Sequence, residues 1–322
     1  MVFIYNYTIS PFALKLVSDI ASQIGRFDLS LKIYEPLKLR KETLARTIHD
    51  TASIEGNTLS LEEVTQLISG KKIKGPKKDI TEIENLHTLY KNIEDYNPLS
   101  KKDFLRAHQA LMKGLIKKHG VRNVDVGIMG DGKLKYKAPH FMEVENLLDQ
   151  MFEFDFSPYP PLVASSILHH MIETIHPFVD GNGRIGRFWQ SLYLYKFQSA
   201  TFSVLPIESL VKRNVKSYYE ALAKTREKKD FSFFVEYMLR VIENCVDEYS
   251  SLLSKSDSDK FDTRVKKARK TFEGSIFSRK QYMSINDSVS SATASNDLIR
   301  ATKEGRLEKI GRANQTRYRF RG

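Results

Sequence analysis

Hydrophobic side chains recur at helical spacing along most of this chain. In the stretch VASSILHHMIETIH, Ile167, Met171 and Ile175 lie four residues apart, which predicts a buried helical face. Pro177 ends that helix. A second buried helix follows the next glycines, and it is predicted by the same spacing of Ile185, Phe188, Trp189, Leu192 and Tyr195.

Most of the remaining chain follows the same helical pattern. Gly56-Asn57 is a helix stop signal, and Ser60 with Glu63 forms a capping box that opens the next helix. The Gly- and Val-rich residues 119–140, with a GDGK turn, predict a small β-hairpin instead. The predicted fold class is therefore mainly α, with further helices within 10–95, 100–118, 141–155 and two in 206–254.

The C-terminal part of the chain forms a separate pattern. The polar stretch SKSDSDK, residues 254–260, predicts a linker. Ser278 with Gln281 forms a capping box for a helix from 279, and a second helix is predicted from about 292 to Gly305. A basic hairpin should follow, because Thr316, Tyr318 and Phe320 alternate with Arg317, Arg319 and Arg321.

Composition narrows the class of protein. The only cysteine, Cys245, excludes an internal disulfide and a Cys-rich zinc site. The chain has no run of about 18 apolar residues, and its start, MVFIYNYTISPF, lacks the features of a signal peptide. We therefore expect a cytoplasmic protein with no membrane partner.

The net charge of +12 is concentrated at one end of the chain. Residues 255–322 contain 17 Lys and Arg against 8 Asp and Glu, a net charge of +9. This excess indicates a polyanionic partner for that segment only.

Residues 176–187, HPFVDGNGRIGR, combine groups that a simple turn does not need. The three glycines Gly181, Gly183 and Gly186 fit a dinucleotide-binding G-x-G-x-x-G, with Glu208 downstream for a ribose, but a helix precedes them where a strand is required. A Walker loop is excluded because Lys and Ser or Thr do not follow the last glycine. A tight turn between core helices would explain one or two glycines.

A phosphate-binding site explains the whole stretch better. The first N–H groups of a helix that begins near Gly183 have no partner within the helix, and they attract anions. Arg184 and Arg187 lie three residues apart on one helical face, within reach of a single polyphosphate. Asp180 is a suitable Mg²⁺ ligand, and His176 can accept a proton from a hydroxyl.

In these residues the chain resembles the Fic family. The family pattern H-P-F-x-[DE]-G-N-[GK]-R-x-x-R matches residues 176–187 without a gap, and the resemblance covers roughly residues 10–250. It implies transfer of AMP from ATP, with Mg²⁺, to a Ser, Thr or Tyr hydroxyl of a target protein. Some family members use other nucleotides, transfer phosphocholine or remove AMP, and these alternatives stay open.

The resemblance also implies a role for each residue of the stretch. His176 would deprotonate the target hydroxyl, Phe178 would anchor the loop and Asp180 would hold Mg²⁺. The nucleotide would contact Gly181, Asn182 and Gly183 at its α-phosphate, Arg184 at its β-phosphate and Arg187 at its γ-phosphate, with Ile185, Gly186 and Tyr218 in the same site.

The stretch TASIEGN, residues 51–57, fits the family's inhibitory motif [ST]-x-x-x-E-[GN]. A solvated surface glutamate is the alternative, since Glu55 lies in the last turn of a helix, where a carboxylate opposes the helix dipole. The resemblance implies that Glu55, with Thr51, inhibits in cis by pairing with Arg187. In some relatives this glutamate helps water remove AMP.

Two further features carry expectations from the family. The hairpin LKYKAP resembles the family's flap, where Tyr136 and Lys137 would lie beside an added strand of the target. Tyr218 and Tyr219 match a pair that often lines the adenosine site, with core packing as the alternative. Arg226 stands where relatives often have Asn, which leaves the base and ribose contacts open.

Residues 263–322 are predicted to form two helices followed by a basic hairpin, and this order resembles a winged helix-turn-helix. In that fold, SATASNDL would open the recognition helix. DNA binding is one interpretation, and dimerisation or target docking is the other. The sequence is also compatible with a homodimer.

We interpret the chain as an auto-inhibited protein adenylyltransferase. The competing hypothesis is a DNA-binding regulator whose Fic site senses nucleotide. The expected organisation is an N-terminal helical region (1–97), a Fic core (98–205), its C-terminal helices (206–254), a linker (255–262) and a winged-helix domain (263–322).

Overall fold

The computed structural model describes residues 5–33, 37–130, 133–203, 205–286, 289–311 and 315–321. Over these ranges the protein is mainly helical, with two small antiparallel sheets of two strands each. It divides into two compact units, Met1–Asp28 with Pro36–Asp247, and Leu29–Glu35 with Glu248–Gly322. No helix in the described part of the chain has the length and apolar character needed to cross a membrane.

The first unit contains the predicted helical core. Its elements are α1 (Pro11–Ile33), α2 (Leu37–Ile54), α3 (Leu61–Ile68), α4 (Lys77–Lys91), α5 (Lys101–Leu111), β1 (Gly127–Gly130), β2 (Lys133–Lys137), α6 (Phe141–Glu153), α7 (Pro161–Ile175), α8 (Asn182–Phe197), α9 (Ile207–Arg213), α10 (Val215–Lys228) and α11 (Ser232–Phe272), of which α1 and α11 run on into the second unit.

Helices α7 and α8 form the centre of this unit. Every residue of α7 from Leu162 to Ile175 is buried, so the helix is enclosed on all sides and not only along its predicted apolar face. Several of its polar side chains bond to the helix itself; Ser165 and Ser166, for example, both donate to the Leu162 carbonyl. The close packing of α7 on α8 places the loop between them, residues 176–181, at the edge of the core.

The predicted helix boundaries are present at α2 and α3. Helix α2 ends at Ile54, and Gly56 follows with a left-handed φ of 91°. The Ser60 hydroxyl accepts a hydrogen bond from the Glu63 N–H, and the Glu63 carboxylate accepts one from the Ser60 N–H, which is the predicted capping box.

Helix α5 is shorter than the sequence predicts. It ends at Leu111, although the apolar pattern continues to 118. Gly114 has a φ of 75°, which breaks the helix, and Asn85 Nδ2 caps the carbonyls of Leu111 and Lys113.

The predicted linker at 254–260 is helical in the structure. Helix α11 runs without a break from Ser232 to Phe272, and with α9 and α10 it makes three described helices that begin within 206–254, where two were predicted. The physical reason is that SKSDSDK contains neither Gly nor Pro, and polar residues alone do not end a solvated helix.

The second unit has the predicted order of elements. Helix α12 (Arg279–Ile285) opens with the Ser278–Gln281 capping box, α13 (Ser291–Lys303) follows, and β3 (Leu307–Ile310) pairs with β4 (Arg317–Phe320). Its core is formed by Phe261, Val265, Ala268, Phe277, Tyr282, Ala294, Leu298, Ala301, Leu307 and Tyr318.

Candidate active site

The loop between α7 and α8 has a fixed backbone. His176 ends α7 in the left-handed region, with φ 49° and ψ 60°, which is unusual for a residue other than Gly. Asn182 bonds to both backbone groups of Phe178: its Oδ1 accepts from the N–H at 2.9 Å, and its Nδ2 donates to the carbonyl at 2.8 Å. These bonds close the loop, and the buried Phe178 ring stacks on His108 at 3.5 Å.

Two arginines lie buried at the start of α8. Arg184 and Arg187 are both less than 6% exposed, beside the N-terminal N–H groups of the helix. The Nε of Arg184 and Nη1 of Arg187 are buried and make no hydrogen bond to any residue that the structure describes. Positive charge with free donors at a helix N-terminus is suited to binding a polyphosphate.

Thr51 at the end of α2 and Glu55 just after it, the two residues of the predicted inhibitory motif, both contact one of these arginines. Arg187 Nε donates to the Thr51 hydroxyl at 2.9 Å, and Nη2 donates to Glu55 Oε1 at 2.7 Å and to the Thr51 carbonyl at 3.1 Å. Burial alone would lower the pKa of Arg187, but the Glu55 carboxylate raises it. One edge of the guanidinium is therefore fully occupied by α2.

The Glu55 carboxylate also covers the start of α8. A Cβ on Gly183 would overlap its Oε1, so the carboxylate lies against the bare glycine backbone. The absence of a side chain at 183 is what permits this close approach. Glu55 thus lies where the sequence predicts the α-phosphate site.

Arg184 is held by two other carboxylates. Its Nη2 donates to Asp180 Oδ1 at 2.5 Å, and its Nη1 pairs with the buried Glu82 of α4. Glu82 also accepts a 2.8 Å hydrogen bond from Asn57. The sequence pattern gave no indication of Glu82, because α4 lies about a hundred residues before the motif and Glu82 belongs to no motif of its own.

The His176 imidazole is largely buried, and three charged side chains lie near it. Burial lowers its pKa below the usual 6.5; the carboxylates of Glu173 and Glu55 oppose this shift, and Arg122 adds to it. The imidazole is therefore neutral at neutral pH, the form that can accept a proton.

Gly186 allows α7 and α8 to approach closely. A Cβ there would lie 2.8 Å from Glu173 Oε1 and 3.1 Å from the His169 ring. His169 Nδ1 donates to Gln190 Oε1 at 2.7 Å, since Gln190 Nε2 is itself a donor to Ser166. Ile185 next to it is buried in the core.

Tyr218 is buried beside this cluster. Its hydroxyl donates to His169 Nε2 at 3.0 Å, and its ring is 1% exposed. The neighbouring Tyr219 is 44% exposed. Core packing, the alternative considered for Tyr218, thus describes its present surroundings, while contact with a nucleotide stays a prediction.

The predicted flap is a hairpin whose Tyr136 points inward. The Tyr136 hydroxyl donates to the Thr174 carbonyl at 2.8 Å, and the Arg226 guanidinium lies 4.1 Å above its ring. Lys137 is exposed. Tyr136 thus anchors the hairpin to α7, and contact of either residue with a target stays a prediction.

Arg122 joins the loop to both ends of the hairpin. It is buried, its Nε donates to the His176 carbonyl at 2.8 Å, and its other nitrogens donate to the carbonyls of Val124 and Pro139. Its own N–H donates to the Pro177 carbonyl at 2.9 Å. Arg122 was not predicted as a site residue, and its position just before the predicted hairpin is the one sequence signal that could have suggested a role.

The residues present suit Mg²⁺ bound together with phosphates. In the described residues no group of three His, Cys, Asp or Glu side chains could hold a metal by itself. Asp180 supplies one carboxylate, 45% exposed, next to the two arginines. Mg²⁺ is typically bound by one or two carboxylates and the phosphates of a substrate, so this donor set fits.

Comparison with known proteins gives consistent matches. The model of the Fic/DOC family matches residues 98–194. A crystal structure of a Fic family protein from Desulfovibrio desulfuricans G20 is 32% identical, covers 98% of both chains and superposes with a TM-score of 0.73. The Fic-1 structure from C. elegans, at 21% identity and a TM-score of 0.55 over 74% of this chain and 71% of that one, shares the fold.

Two curated relatives match over most of this chain at lower identity. Protein adenylyltransferase fic-1 of Caenorhabditis briggsae is 23% identical over 76% of this chain and 48% of its own length. Protein adenylyltransferase Fic of Aedes aegypti is 25% identical over 72% of this chain and 46% of its own. The chain thus spans about half the length of these relatives.

Proposed function

Because the chain belongs to the Fic family, we propose that it is a protein adenylyltransferase, which transfers AMP from ATP to a hydroxyl side chain of a target protein. One observation carries this proposal. Two buried arginines with free N–H groups, a carboxylate and a neutral histidine meet at the N-terminus of α8. The names of the curated relatives support the same reaction.

His176 is the proposed base. Its imidazole takes the proton of the target hydroxyl as the hydroxyl oxygen forms a bond to the α-phosphorus. The bond from that phosphorus to the bridging oxygen of the β-phosphate breaks, and pyrophosphate leaves. A pKa held below the usual value by burial keeps the imidazole free to accept the proton.

The start of α8 binds the phosphates in this proposal. The N–H groups around Gly181, Asn182 and Gly183 face the α-phosphate, while Arg184 and Arg187 take the β- and γ-phosphates. Asp180 would hold Mg²⁺, which neutralises phosphate charge when bound. These fixed donors lower the barrier mainly by positioning and charge stabilisation.

We further propose that Glu55 inhibits the enzyme. Its carboxylate and the γ-phosphate compete for Arg187, and its contact with Gly183 competes with the α-phosphate. ATP can bind productively only after α2 has released Arg187.

Labelling with ATP that is radioactive at the α-phosphate tests both proposals. Wild type, Glu55→Gly, and Glu55→Gly with His176→Ala are incubated with Mg²⁺ and a lysate. Strong labelling by Glu55→Gly alone is expected. Ser53→Gly is the matched control, because it places glycine in the same helix at a residue for which no Arg187 contact is seen in the described part of the chain.

Two results would contradict the proposal. If Ser53→Gly labels as strongly as Glu55→Gly, loosening of the helix and not loss of the carboxylate activates the enzyme. If ATP binds tightly and no variant transfers label, AMP transfer is wrong and AMP removal or another donor nucleotide must be tested.

DNA binding by the second unit is a second candidate function. Arg279, Lys280, Lys309 and Arg317 line one groove, the basic groove, and form no ion pair with a described carboxylate. Other cations of the unit do, as in the pairs Arg264–Asp297, Arg306–Asp262 and Arg319–Glu308. Unpaired cations on one surface suit a phosphate backbone.

Fluorescence anisotropy of the full chain with labelled duplex DNA tests this candidate. Lys309→Ala with Arg317→Ala should weaken binding and lower the slope of log K against log salt by about 2. Arg319→Ala removes a paired arginine from the same strand and serves as control. Equal loss from the control, or no binding by wild type at physiological salt, would reject the basic groove as a DNA site.

A further inference from the structure

We propose that Glu82 is a positioning residue for the β-phosphate, acting through Arg184. The proposal rests on the proposed function, because it takes Arg184 as the ligand of that phosphate. Glu82 belongs to α4, outside the motif of residues 176–187 and outside the stretch TASIEGN.

The guanidinium of Arg184 is divided between two carboxylates of different exposure. Glu82 holds Nη1, and its side chain is 5% exposed within a packed helix. Asp180 holds Nη2 at 2.5 Å, but its side chain is 45% exposed and lies on a loop. Asp180 can turn away from the arginine, whereas Glu82 cannot do so unless α4 moves.

The geometry leaves a defined edge for a ligand. Nε of Arg184 is buried without a partner among the described residues, and Nη2 becomes free when Asp180 turns. A phosphate can then accept from Nε and Nη2 together, the bidentate arrangement that arginine favours. Glu82 on Nη1 fixes the orientation of the guanidinium that presents this edge.

Glu82 is also connected to the end of the inhibitory helix. Asn57 Nδ2 donates to Glu82 Oε2 at 2.8 Å, and the Asn57 N–H donates to the Ala52 carbonyl of α2 at 3.1 Å. Asn57 is two residues from Glu55. The segment that contacts Arg187 through Glu55 therefore contacts the partner of Arg184 as well.

The experiment compares nucleotides with and without a β-phosphate. Calorimetry measures the binding of ADP and AMP, each with Mg²⁺, to Glu55→Gly and to Glu55→Gly with Glu82→Gln. We expect Glu82→Gln to raise the Kd of ADP about tenfold or more and to leave the Kd of AMP unchanged. Glu82→Asp, which keeps the charge, should recover part of the ADP affinity.

Glu84→Gln is the matched control, because Glu84 lies on the same helix and is exposed. Thermal melting of each variant reports folding, and Glu82→Asp replaces Glu82→Gln if the latter does not fold. If Glu82 variants weaken ADP and AMP equally, or neither, the positioning role is overturned. If the Glu55→Gly parent itself binds ADP no more tightly than AMP, Arg184 does not bind the β-phosphate and the proposed function fails instead.

Discussion

Arg122 holds the carbonyl of His176 through a 2.8 Å hydrogen bond from Nε, and it holds both ends of the neighbouring hairpin through its other nitrogens. A single buried side chain thus joins the proposed base to the proposed flap. The left-handed backbone of His176 is retained only if surrounding contacts enforce it, and Arg122 supplies two of them, by its side chain to His176 and by its N–H to Pro177.

Replacing Arg122 should therefore separate nucleotide binding from transfer. Arg122→Lys keeps the charge but cannot reach three carbonyls at once, and each lost charge-assisted bond costs about 1.5–3 kcal/mol. In the Glu55→Gly background we expect transfer to fall at least about tenfold with the Kd of ATP unchanged. Arg106→Lys, at a half-exposed arginine, is the control, and a parallel loss of ATP affinity would contradict this role.

Thr51 should contribute to inhibition separately from Glu55. Thr51→Val removes the hydroxyl that accepts from Arg187 Nε, and leaves a buried donor without a partner at a cost of about 1–3 kcal/mol. We expect autolabelling between that of wild type and that of Glu55→Gly. Thr51→Ser retains the hydroxyl and should label like wild type; if both substitutions behave alike, the methyl group and not the hydroxyl matters.

Two glycine substitutions should change stability in opposite directions. The Cβ of Gly25→Ala in α1 would meet no atom within 4 Å. This substitution should raise the free energy of unfolding by about 0.5–1 kcal/mol through helix propensity.

Gly186→Ala brings a Cβ to 2.8 Å from Glu173 Oε1. It should lower the free energy of unfolding by about 1–3 kcal/mol because α7 and α8 must separate. Urea unfolding followed by the single tryptophan, buried at 189, measures both, and a stabilising Gly186→Ala would show that the helices can adjust.

His108 should make the first unit sensitive to acid. Burial lowers its pKa from 6.5 to about 4, although the hydrogen bond to the Asp180 carbonyl opposes the shift. The unfolded chain therefore binds this proton first as the pH falls, and stability present above pH 6.5 is lost progressively down to about pH 4. The loss from this residue is about 3 kcal/mol.

His108→Gln tests this by keeping an N–H donor that does not titrate. Its unfolding free energy should fall less than that of wild type between pH 6.5 and 4, while His170, whose pKa burial lowers to about 3, contributes equally to both. Parallel curves for wild type and His108→Gln would show that His108 is not the titrating group.

Local sequence signals were sufficient for the part of the candidate site that residues 176–187 form by themselves. The glycines that free the α8 N-terminus and the spacing of Arg184 from Arg187 follow from helix geometry, and so does the capping box at Ser60. The mainly helical fold with a small hairpin is confirmed on the same basis.

The partners of these residues could not be predicted in the same way. Arg122 and Glu82 contact the motif across 54 and 102 residues of sequence, and neither belongs to a motif of its own. The contacts of the Tyr136 side chain with Thr174 and Arg226 likewise come from distant segments, while its place in a target-binding flap stays a prediction. The unbroken α11 shows a second limit of sequence-based prediction. A polar composition alone does not distinguish an irregular linker from a polar segment of a helix.

Because of the contact between Arg187 and α2, the rate of transfer by the proposed enzyme should depend on the nucleotide concentration. Nucleotide and helix compete for one guanidinium, so the apparent Kd equals the intrinsic Kd divided by the fraction of molecules with α2 released. Each 1.4 kcal/mol by which Thr51 and Glu55 favour the closed state raises the apparent Kd about tenfold. Under the proposed inhibition, the strength of this contact sets the ATP level at which transfer begins, and substitutions in α2 are expected to change that level while residues 176–187 stay the same.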